Sequence, residues 1–243
     1  MQSELIDKLF AVGAHFGYSP SRRHPSAARY IFGAKGGVEL IDLEKTAAAL
    51  ERASAFLKEM AASRKQILFV GGKAEAKAAL ERAAERLNQP YVAGRFIGGT
   101  LTNFSEIKKR LSRLADLTSM REKGELAKFT KRERLLMDRE INDLTAMFGG
   151  LRGMEKLPGA VFAIDPKREH IAVKEAQDMR IPVVALMNTD CNAQGIAYPI
   201  PGNDASLKSI ALVLEEIARA VEEGAAAPVP APAPEEKTPE PKQ

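Results

Sequence analysis

Three aspartates and one histidine are the side chains whose types and positions could hold a divalent metal ion. Asp165 and Asp190 each follow a short apolar run, and His170 and Asp204 come soon after them. Carboxylate oxygens and imidazole nitrogens are common ligands of divalent ions, and ligands of α/β folds usually bind where parallel strands end. The sequence nevertheless favours a simpler interpretation, in which Asp165 and Asp204 cap the helices that follow them. We therefore expect no metal site.

Motifs of the common α/β enzymes are missing from the sequence. No G-x-G-x-x-G, G-x-x-x-x-G-K-[ST] or G-x-S-x-G occurs, although Gly72-Lys73 resembles the end of the second pattern. The amides at that helix start could hold a phosphate group, but a tight turn between strand and helix is the favoured interpretation. Cys191 has no histidine near it in sequence, and His15 is expected to be packed rather than catalytic. The sequence predicts no cofactor and no enzyme activity.

Positive charge is the feature that the sequence does concentrate. The chain has 243 residues, a net charge of +4 and a pI near 9.1, yet residues 108–152 alone carry twelve basic and seven acidic side chains. Another basic group, the first along the chain, lies within residues 18–37, which contain no acid. A solvated helix face would by itself explain the group in residues 108–152, the second along the chain. Two separate basic segments, each flanked by Gly or Pro loops, favour contacts with phosphate groups.

Short apolar runs alternate with helical patterns on both sides of residues 103–149. Ile67–Val70, Ala160–Ile164 and Pro182–Met187 are predicted strands, and helices rich in Ala, Leu, Glu and Lys lie between the strands. Apolar runs of this kind are buried on both faces, as in a parallel sheet covered by helices on each side. The predicted fold class is α/β, with a doubly wound parallel sheet.

Residues 103–149 have a different pattern and predict an inserted antiparallel helical hairpin. Apolar residues recur there every three or four positions, as in a coiled coil. Asn103 with Glu106, and Thr130 with Glu133, fit the capping pairs that begin helices. Gly124 lies in the break between the two predicted helices.

The domain organisation follows from these patterns. Residues 1–102 and 150–224 form the predicted α/β domain, which includes an N-terminal helix and a β-hairpin near residues 30–43. Residues 225–243 are rich in Pro, Ala and Glu and are predicted to be a disordered tail. The single cysteine, the absence of about 18 consecutive apolar residues and the lack of a secretory pattern predict a cytoplasmic protein without a membrane segment.

Several blocks of sequence resemble the bacterial small-subunit ribosomal protein two family. They are, in order, HFGYSPSRRHPSAARY, ILFVGGK, RFIGGTLTNF, LPGAVFAIDPKREH, IPVVALMNTD and IPGND. The resemblance implies a flavodoxin-like domain with an inserted helical hairpin. It also implies a non-enzymatic protein that binds small-subunit rRNA on the solvent side near the head–body junction. Such a protein joins late in assembly and helps to anchor the large OB-repeat protein numbered one, which captures messenger RNA.

Carried over motif by motif, the resemblance implies a set of RNA-binding side chains in the loop after HFG, the β-hairpin, the RFIGG block and the helical hairpin. They are Arg22, Arg23, Arg29, Lys35, Arg95, Lys108, Lys109, Arg110, Arg113, Lys131, Arg132 and Arg134. Tyr18 and Phe96 depart from the histidine and tryptophan of many relatives. The sequence leaves two alternatives open, namely a nucleotide- or metal-dependent enzyme and a coiled-coil module that binds other proteins.

Overall fold

The computed structural model describes residues 2–227 of the chain, and the secondary structure follows the order expected from the sequence. The elements are α1 (Gln2–Ala11), β1 (Ile31–Lys35), β2 (Val38–Ile41), α2 (Leu43–Ala62), β3 (Ile67–Val70), α3 (Ala74–Arg86), β4 (Tyr91–Val92), α4 (Phe104–Glu122), α5 (Lys131–Phe148), β5 (Ala160–Ile164), α6 (His170–Asp178), β6 (Val183–Met187), β7 (Tyr198–Pro201) and α7 (Leu207–Ala226).

The central sheet is parallel throughout and has the strand order β4-β3-β5-β6-β7. Every residue of β3, β5 and β6 is buried, which explains why these strands are continuous apolar runs rather than alternating patterns. β1 and β2 form the separate antiparallel β-hairpin predicted from the sequence. The predicted fold class is confirmed.

Helices cover both faces of the sheet, and successive strand residues point into different cores. Phe69 and Phe162 face α2, α3 and α7, and their ring centroids lie 5.5 Å apart. Leu68 and Val161 face α6 and the inner part of the helical hairpin. Burying a Phe or Leu side chain contributes roughly 1.5–3 kcal/mol, so these two apolar layers stabilise the sheet and hold the carboxyl ends of its strands in place.

The helical hairpin consists of α4 and α5, joined by Gly124 in the left-handed conformation (φ 71°) and a short 3₁₀ helix over Glu125–Lys128. Thr130 and Glu133 form the predicted capping box, with each side chain bonded to the other residue's amide. α4 begins directly after Asn103, as predicted, but the Asn103 side chain makes no capping hydrogen bond. It accepts a hydrogen bond from the Ser105 hydroxyl instead, because the backbone of Asn103 (φ −129°, ψ 48°) lies outside the extended conformation of a capping residue.

The last helix begins and ends differently from what the sequence predicts. Ser206 caps α7, its hydroxyl accepting from the Ser209 amide, so Asp204 does not have the capping role that the sequence favours. The helix continues to Ala226, so Ala225 and Ala226 are helical rather than disordered, and residues 228–243 of the predicted tail lie outside the described residues. None of the helices described between residues 2 and 227 is long and apolar enough to cross a membrane. The division into domains stays a prediction.

Candidate nucleic-acid interface

The first predicted basic group lies on a loop that is fastened to the carboxyl edge of the sheet. Two short 3₁₀ helices, Pro20–Arg22 and Pro25–Tyr30, shape this loop. The Tyr18 amide donates to the Thr189 hydroxyl (3.1 Å), and the His24 amide donates to the Thr189 carbonyl (2.9 Å). The basic loop, residues 18–30, is therefore ordered by the polar residues that follow β6.

Arg22 and Arg23 are each paired with a buried carboxylate. Arg22 Nη2 lies 3.3 Å from Asp190, and its guanidinium lies 4.2 Å from the centre of the Tyr18 ring. Arg23 Nη1 lies 3.3 Å from Glu39, a residue only 1% exposed. Both arginine side chains remain about half exposed, at 54% and 46%. The sequence suggested unpaired arginines here, and it gave no sign that two acids distant along the chain hold them.

Arg29 and Lys35 complete the first group and lie at the surface. The Arg29 guanidinium lies 4.8 Å from the centre of the Tyr30 ring, and its backbone carbonyl accepts a hydrogen bond from the Lys45 ammonium. Lys35 is exposed at the end of β1, beside the turn that Gly36 forms with positive φ. These two cations have no carboxylate partner among the described residues.

The second group lies along both helices of the hairpin. Two of its cations are paired on the surface, Lys109 with Glu106 and Arg113 with Glu140. The Arg113 hydrogen bond lowers the pKa of Glu140 from its ordinary value. Four others are exposed and have no ion-pair partner in the described part of the chain: Lys108, Arg110, Lys131 and Arg132. Arg134 is half-buried, and its Nε has no hydrogen-bond partner there.

Arg95 follows β4, which is the outermost strand on one side of the sheet. Its side chain is exposed, whereas the adjacent Phe96 is 4% exposed and packs in the core on the hairpin side. Arg95 and Arg152 line a cleft between the end of α3 and the base of the hairpin. The structure thus places the predicted cations in three regions, namely the basic loop with the β-hairpin, the helical hairpin and the cleft beside Arg95.

The carboxyl edge of the sheet holds the residues that suggested metal binding. Lys73 Nζ lies 2.7 Å from Asp165 and 2.6 Å from Asp204. Burial alone would lower the pKa of Lys73, but its hydrogen bonds to Asp165 and Asp204 outweigh burial and raise the pKa well above its ordinary value. Asp165 also accepts from the amides of Lys167 and Arg168, which orders the turn before α6. The helix itself begins after Glu169, so the prediction that Asp165 caps it is wrong.

This arrangement fits an internal ion pair better than a bound metal. Donor atoms of Asp165, Cys191 and Asp204 lie within 4.8 Å of one another, but the Lys73 ammonium already supplies the positive charge between the two carboxylates. Burial raises the pKa of the Cys191 thiol, which keeps it protonated and unsuited to bind a cation or act as a nucleophile. His170 begins α6 and is not part of this cluster.

The Gly72–Lys73 turn is likewise satisfied from within the protein. The Gly72 amide donates to Glu169 Oε1 at 2.9 Å, so the group that could have bound a phosphate is occupied. A Cβ at Gly72 would lie 2.6 Å from the Gly94 carbonyl oxygen, which explains the glycine as a close contact between backbones. His15 is stacked on Phe10 with ring centroids 4.7 Å apart, as expected for a packed rather than a catalytic histidine.

The structure thus combines a parallel α/β sheet, whose carboxyl-edge ions are paired with one another, with basic side chains on a loop and an inserted hairpin. Clustered basic side chains of this kind are typical of proteins that bind a polyanion. The family model described as Ribosomal protein S2 matches residues 9–224. The chain belongs to this family, which confirms the resemblance seen in the sequence. Members of the family are structural constituents of the small ribosomal subunit, and the prediction that the chain is not an enzyme is confirmed.

Individual relatives agree with the family assignment. Small ribosomal subunit protein uS2 of Chloroflexus aggregans is 43% identical over 219 residues, which cover 90% of this chain and 92% of the relative. The protein of the same name from Dictyoglomus thermophilum is 43% identical over 220 residues, covering 90% and 89%. That of Mycobacteroides abscessus is 41% identical over 219 residues, covering 90% and 79%.

Proposed function

We propose that the chain binds small-subunit rRNA through its basic loop, its β-hairpin and its helical hairpin, and so becomes part of the small ribosomal subunit in the cytoplasm. The observation that carries this proposal is the exposure of unpaired cations on the helical hairpin, among them Lys108, Arg110, Lys131 and Arg132. Acids three or four residues away would stabilise a helix by pairing with its cations, but Lys108, Lys131 and Arg132 have no acid at either spacing. The excess here provides contacts for a polyanion.

The contacts proposed are with the phosphate backbone rather than with base edges. Arginine can bind a phosphate through two parallel hydrogen bonds, whereas lysine acts as a point charge. A folded rRNA surface presents phosphates and 2′-hydroxyls, and the hairpin has the dispersed cations that such a surface needs. Tyr18 and Tyr30 each lie against an arginine of the loop, so these rings orient guanidinium groups and are not free platforms for stacking bases.

The same mode of binding supports a late step in assembly. Recognition by shape requires that the rRNA surface has already folded, and the proposed contacts come from three separate regions of the protein. A single unfolded rRNA segment could not satisfy all of them. We therefore place the addition of this protein after the rRNA fold that it recognises.

Neighbouring ribosomal proteins, including the large OB-repeat protein that captures messenger RNA, form the second part of the proposal. Phe16 and Phe32 are 48% and 80% exposed, and Phe16 forms a bridge to Leu40 of β2, the partner strand of the one that carries Phe32. Large exposed aromatic side chains are typical of protein interfaces. We assign the exposed side chains of Phe16 and Phe32 to a protein partner, and Lys35 of the same β-hairpin to rRNA.

Co-sedimentation tests the RNA-binding proposal directly. Full-length chain is mixed with small subunits depleted of this protein, and with isolated small-subunit rRNA, and each mixture is run on sucrose gradients at about 50 mM and about 200 mM salt. Binding through several phosphates should weaken by a factor of roughly a thousand or more over this range. Binding that hardly changes with salt, or that needs neighbouring proteins and not rRNA, would favour the protein-interaction module instead.

A further inference from the structure

The geometry points to Asp190 as a positioning residue, which holds the Arg22 guanidinium in the orientation that meets phosphate. This inference rests on the proposed function, because it concerns how the basic loop binds rRNA. Asp190 is 8% exposed and lies in the loop after β6. Its Oδ2 accepts hydrogen bonds from Lys167 Nζ at 2.9 Å and from Arg22 Nη2 at 3.3 Å.

The loop that carries Asp190 is itself held rigidly. The Asn188 side-chain amide donates to Asp204 at 3.0 Å, and the Asn188 side-chain carbonyl accepts from the Thr189 amide at 2.7 Å. Asp204 is completely buried and bonded to Lys73. A chain of hydrogen bonds thus runs from the interior of the protein to the backbone of Thr189, the residue before Asp190. A carboxylate on a backbone fixed in this way can set the direction of a surface arginine.

Residues 188–193 also shape the backbone of the basic loop. Thr189 accepts from the amides of Tyr18 and His24, and the Ser26 hydroxyl accepts from the Ala193 amide at 2.9 Å. Arg22 lies between the first and second of these attachments, at Tyr18 and His24. The backbone of Arg22 is therefore fixed. Its guanidinium is bonded through one nitrogen to the Asp190 carboxylate and lies against the Tyr18 ring.

Arg22 keeps most of its hydrogen-bonding capacity in this position. Only Nη2 is bonded, so Nε and Nη1 have no partner among the described residues, and about half of the side chain is exposed. The Arg22 side chain is therefore already ordered in the free protein, so binding does not incur the entropic cost of ordering it. The ions of the edge also balance, since Lys73, Lys167 and Arg22 face Asp165, Asp190 and Asp204. An excess of positive charge at this edge therefore cannot account for the binding of RNA, whereas the orientation of Arg22 can account for it.

Replacing Asp190 by Asn separates positioning from simple electrostatics, because the two predict opposite signs. Removing a negative charge should strengthen the binding of RNA if Asp190 only competes with phosphate for Arg22. If Asp190 positions Arg22, Asp190→Asn should weaken binding to depleted small subunits roughly fivefold to tenfold, the loss expected for about one net hydrogen bond. The slope of log affinity against log salt should fall by about one. Asp178→Asn is the matched control, since Asp178 is exposed at the opposite edge and has no ion pair among the described residues.

A double variant identifies the residue through which Asp190 acts. Arg22→Ala should weaken binding by a similar factor, and adding Asp190→Asn to it should cause no further loss. Combined with Lys108→Ala, Asp190→Asn should instead multiply the two losses, because those sites are independent. Losses that multiply in the Arg22 pair, or binding by Asp190→Asn equal to or tighter than that of the control, would overturn the inference.

Two further measurements keep the test decisive. Thr189→Val removes the acceptor of the Tyr18 amide without changing charge or size, so it should also weaken binding even if Asp190→Asn does not fold. Thermal unfolding of each variant shows which ones are folded. If Arg22→Ala binds normally while reversal of charge on the hairpin abolishes binding, the inference about Asp190 fails but RNA binding through the hairpin stands. If neither change affects binding, the proposed function itself fails.

Discussion

Lys73 Nζ lies 2.6 Å from the carboxylate of Asp204, a residue with no exposed surface, although 131 residues separate the two in sequence. The pair lies at the carboxyl edge of the sheet, where α/β proteins usually bind ligands. In this chain a lysine of the protein itself neutralises the two aspartates, Asp165 and Asp204. The edge is thereby stabilised without a ligand, and its outer residues are available to hold the basic loop.

Lys73→Met should destabilise the fold by about 3–5 kcal/mol at pH 7, because it leaves two buried carboxylates unpaired. The pKa of Lys73 is raised in the folded state, so its contribution is fully present below its ordinary value of about 10.5 and is lost only as the pH rises through the folded-state pKa. The loss of unfolding free energy in Lys73→Met should therefore be complete at pH 7. It should shrink near pH 4, where the unpaired aspartates can bind protons. Urea unfolding at the two pH values measures both effects.

Lys77→Met is the control for this prediction. Lys77 lies one turn further along α3, is exposed and forms no ion pair within the described residues. Its replacement should change the free energy of unfolding by no more than about 0.5 kcal/mol. Equal losses from the two variants would show that the Lys73 pairs contribute nothing specific.

Glu175→Gln should loosen the segment that leads into the hairpin. The Glu175 carboxylate, buried on α6, accepts from the amides of Gly99 (2.5 Å), Leu101 (2.9 Å) and Thr102 (3.2 Å). A glutamine has only one side-chain oxygen for these three amides, and its own NH2 group would face the amides that the oxygen does not reach. Leaving buried amides without an acceptor costs about 1–3 kcal/mol. Faster hydrogen exchange at these three amides, with little change in the strands, is the expected result. Glu155→Gln, at an exposed site, should leave all three amides protected.

Reversing the charge of Lys108, Lys109 and Arg110 to Glu should prevent incorporation into the small subunit while the protein remains folded. All three side chains are exposed, and only Lys109 has an ion pair, with Glu106, so the stability lost on α4 should be a few tenths of a kcal/mol. Affinity for depleted subunits should fall roughly tenfold or more. Circular dichroism verifies the fold, and co-sedimentation measures occupancy.

The matching control reverses Arg52, Arg64 and Arg82, which are exposed on α2, directly after α2 and on α3, outside the proposed interface. It changes the net charge by the same amount. Its occupancy should fall much less than that of the hairpin variant. Equal losses would mean that total charge, rather than the hairpin, determines binding.

The sequence was sufficient for the elements of the fold because their signals are local. Ile67–Val70 and Ala160–Ile164 are continuous apolar runs since both faces of these strands are buried, and the structure has the same bounds. Thr130 and Glu133 cap α5 as predicted because the capping box needs only four consecutive residues. Asn103 precedes α4 as predicted but makes no capping bond, because its backbone is not extended, and the sequence pattern does not report backbone conformation.

The candidate interface could be predicted only in its composition. Basic residues can be counted in a sequence, but Arg22 is separated from Asp190 by 168 residues, and no local pattern indicates that they meet. The same is true of Lys73, which resembled a phosphate-binding lysine until Asp165 and Asp204 were found on either side of its ammonium. Long-range pairing of charges depends on how strands are ordered in the sheet, and a single sequence does not contain that order.

Gly150→Ala should separate the hairpin from the sheet more than any other small substitution at its base. A Cβ at Gly150 would lie 2.3 Å from the Tyr91 carbonyl oxygen and 2.8 Å from its ring, so either β4 or the end of α5 must move. We expect a loss of about 1–3 kcal/mol, as for other overpacked sites. We also expect weaker binding to small subunits, because the cations of the hairpin would no longer keep their distance from the basic loop.

Gly153→Ala provides the comparison, since a Cβ at Gly153 would have no heavy atom within 4 Å. This variant should unfold at the same urea concentration as the parent chain and bind small subunits equally well. The two glycines lie three residues apart and undergo the same chemical change, so only the contact with Tyr91 distinguishes them. If Gly150→Ala keeps both its stability and its binding, the hairpin does not depend on this contact, and its orientation must be set by Glu175 and the α4 side of the junction.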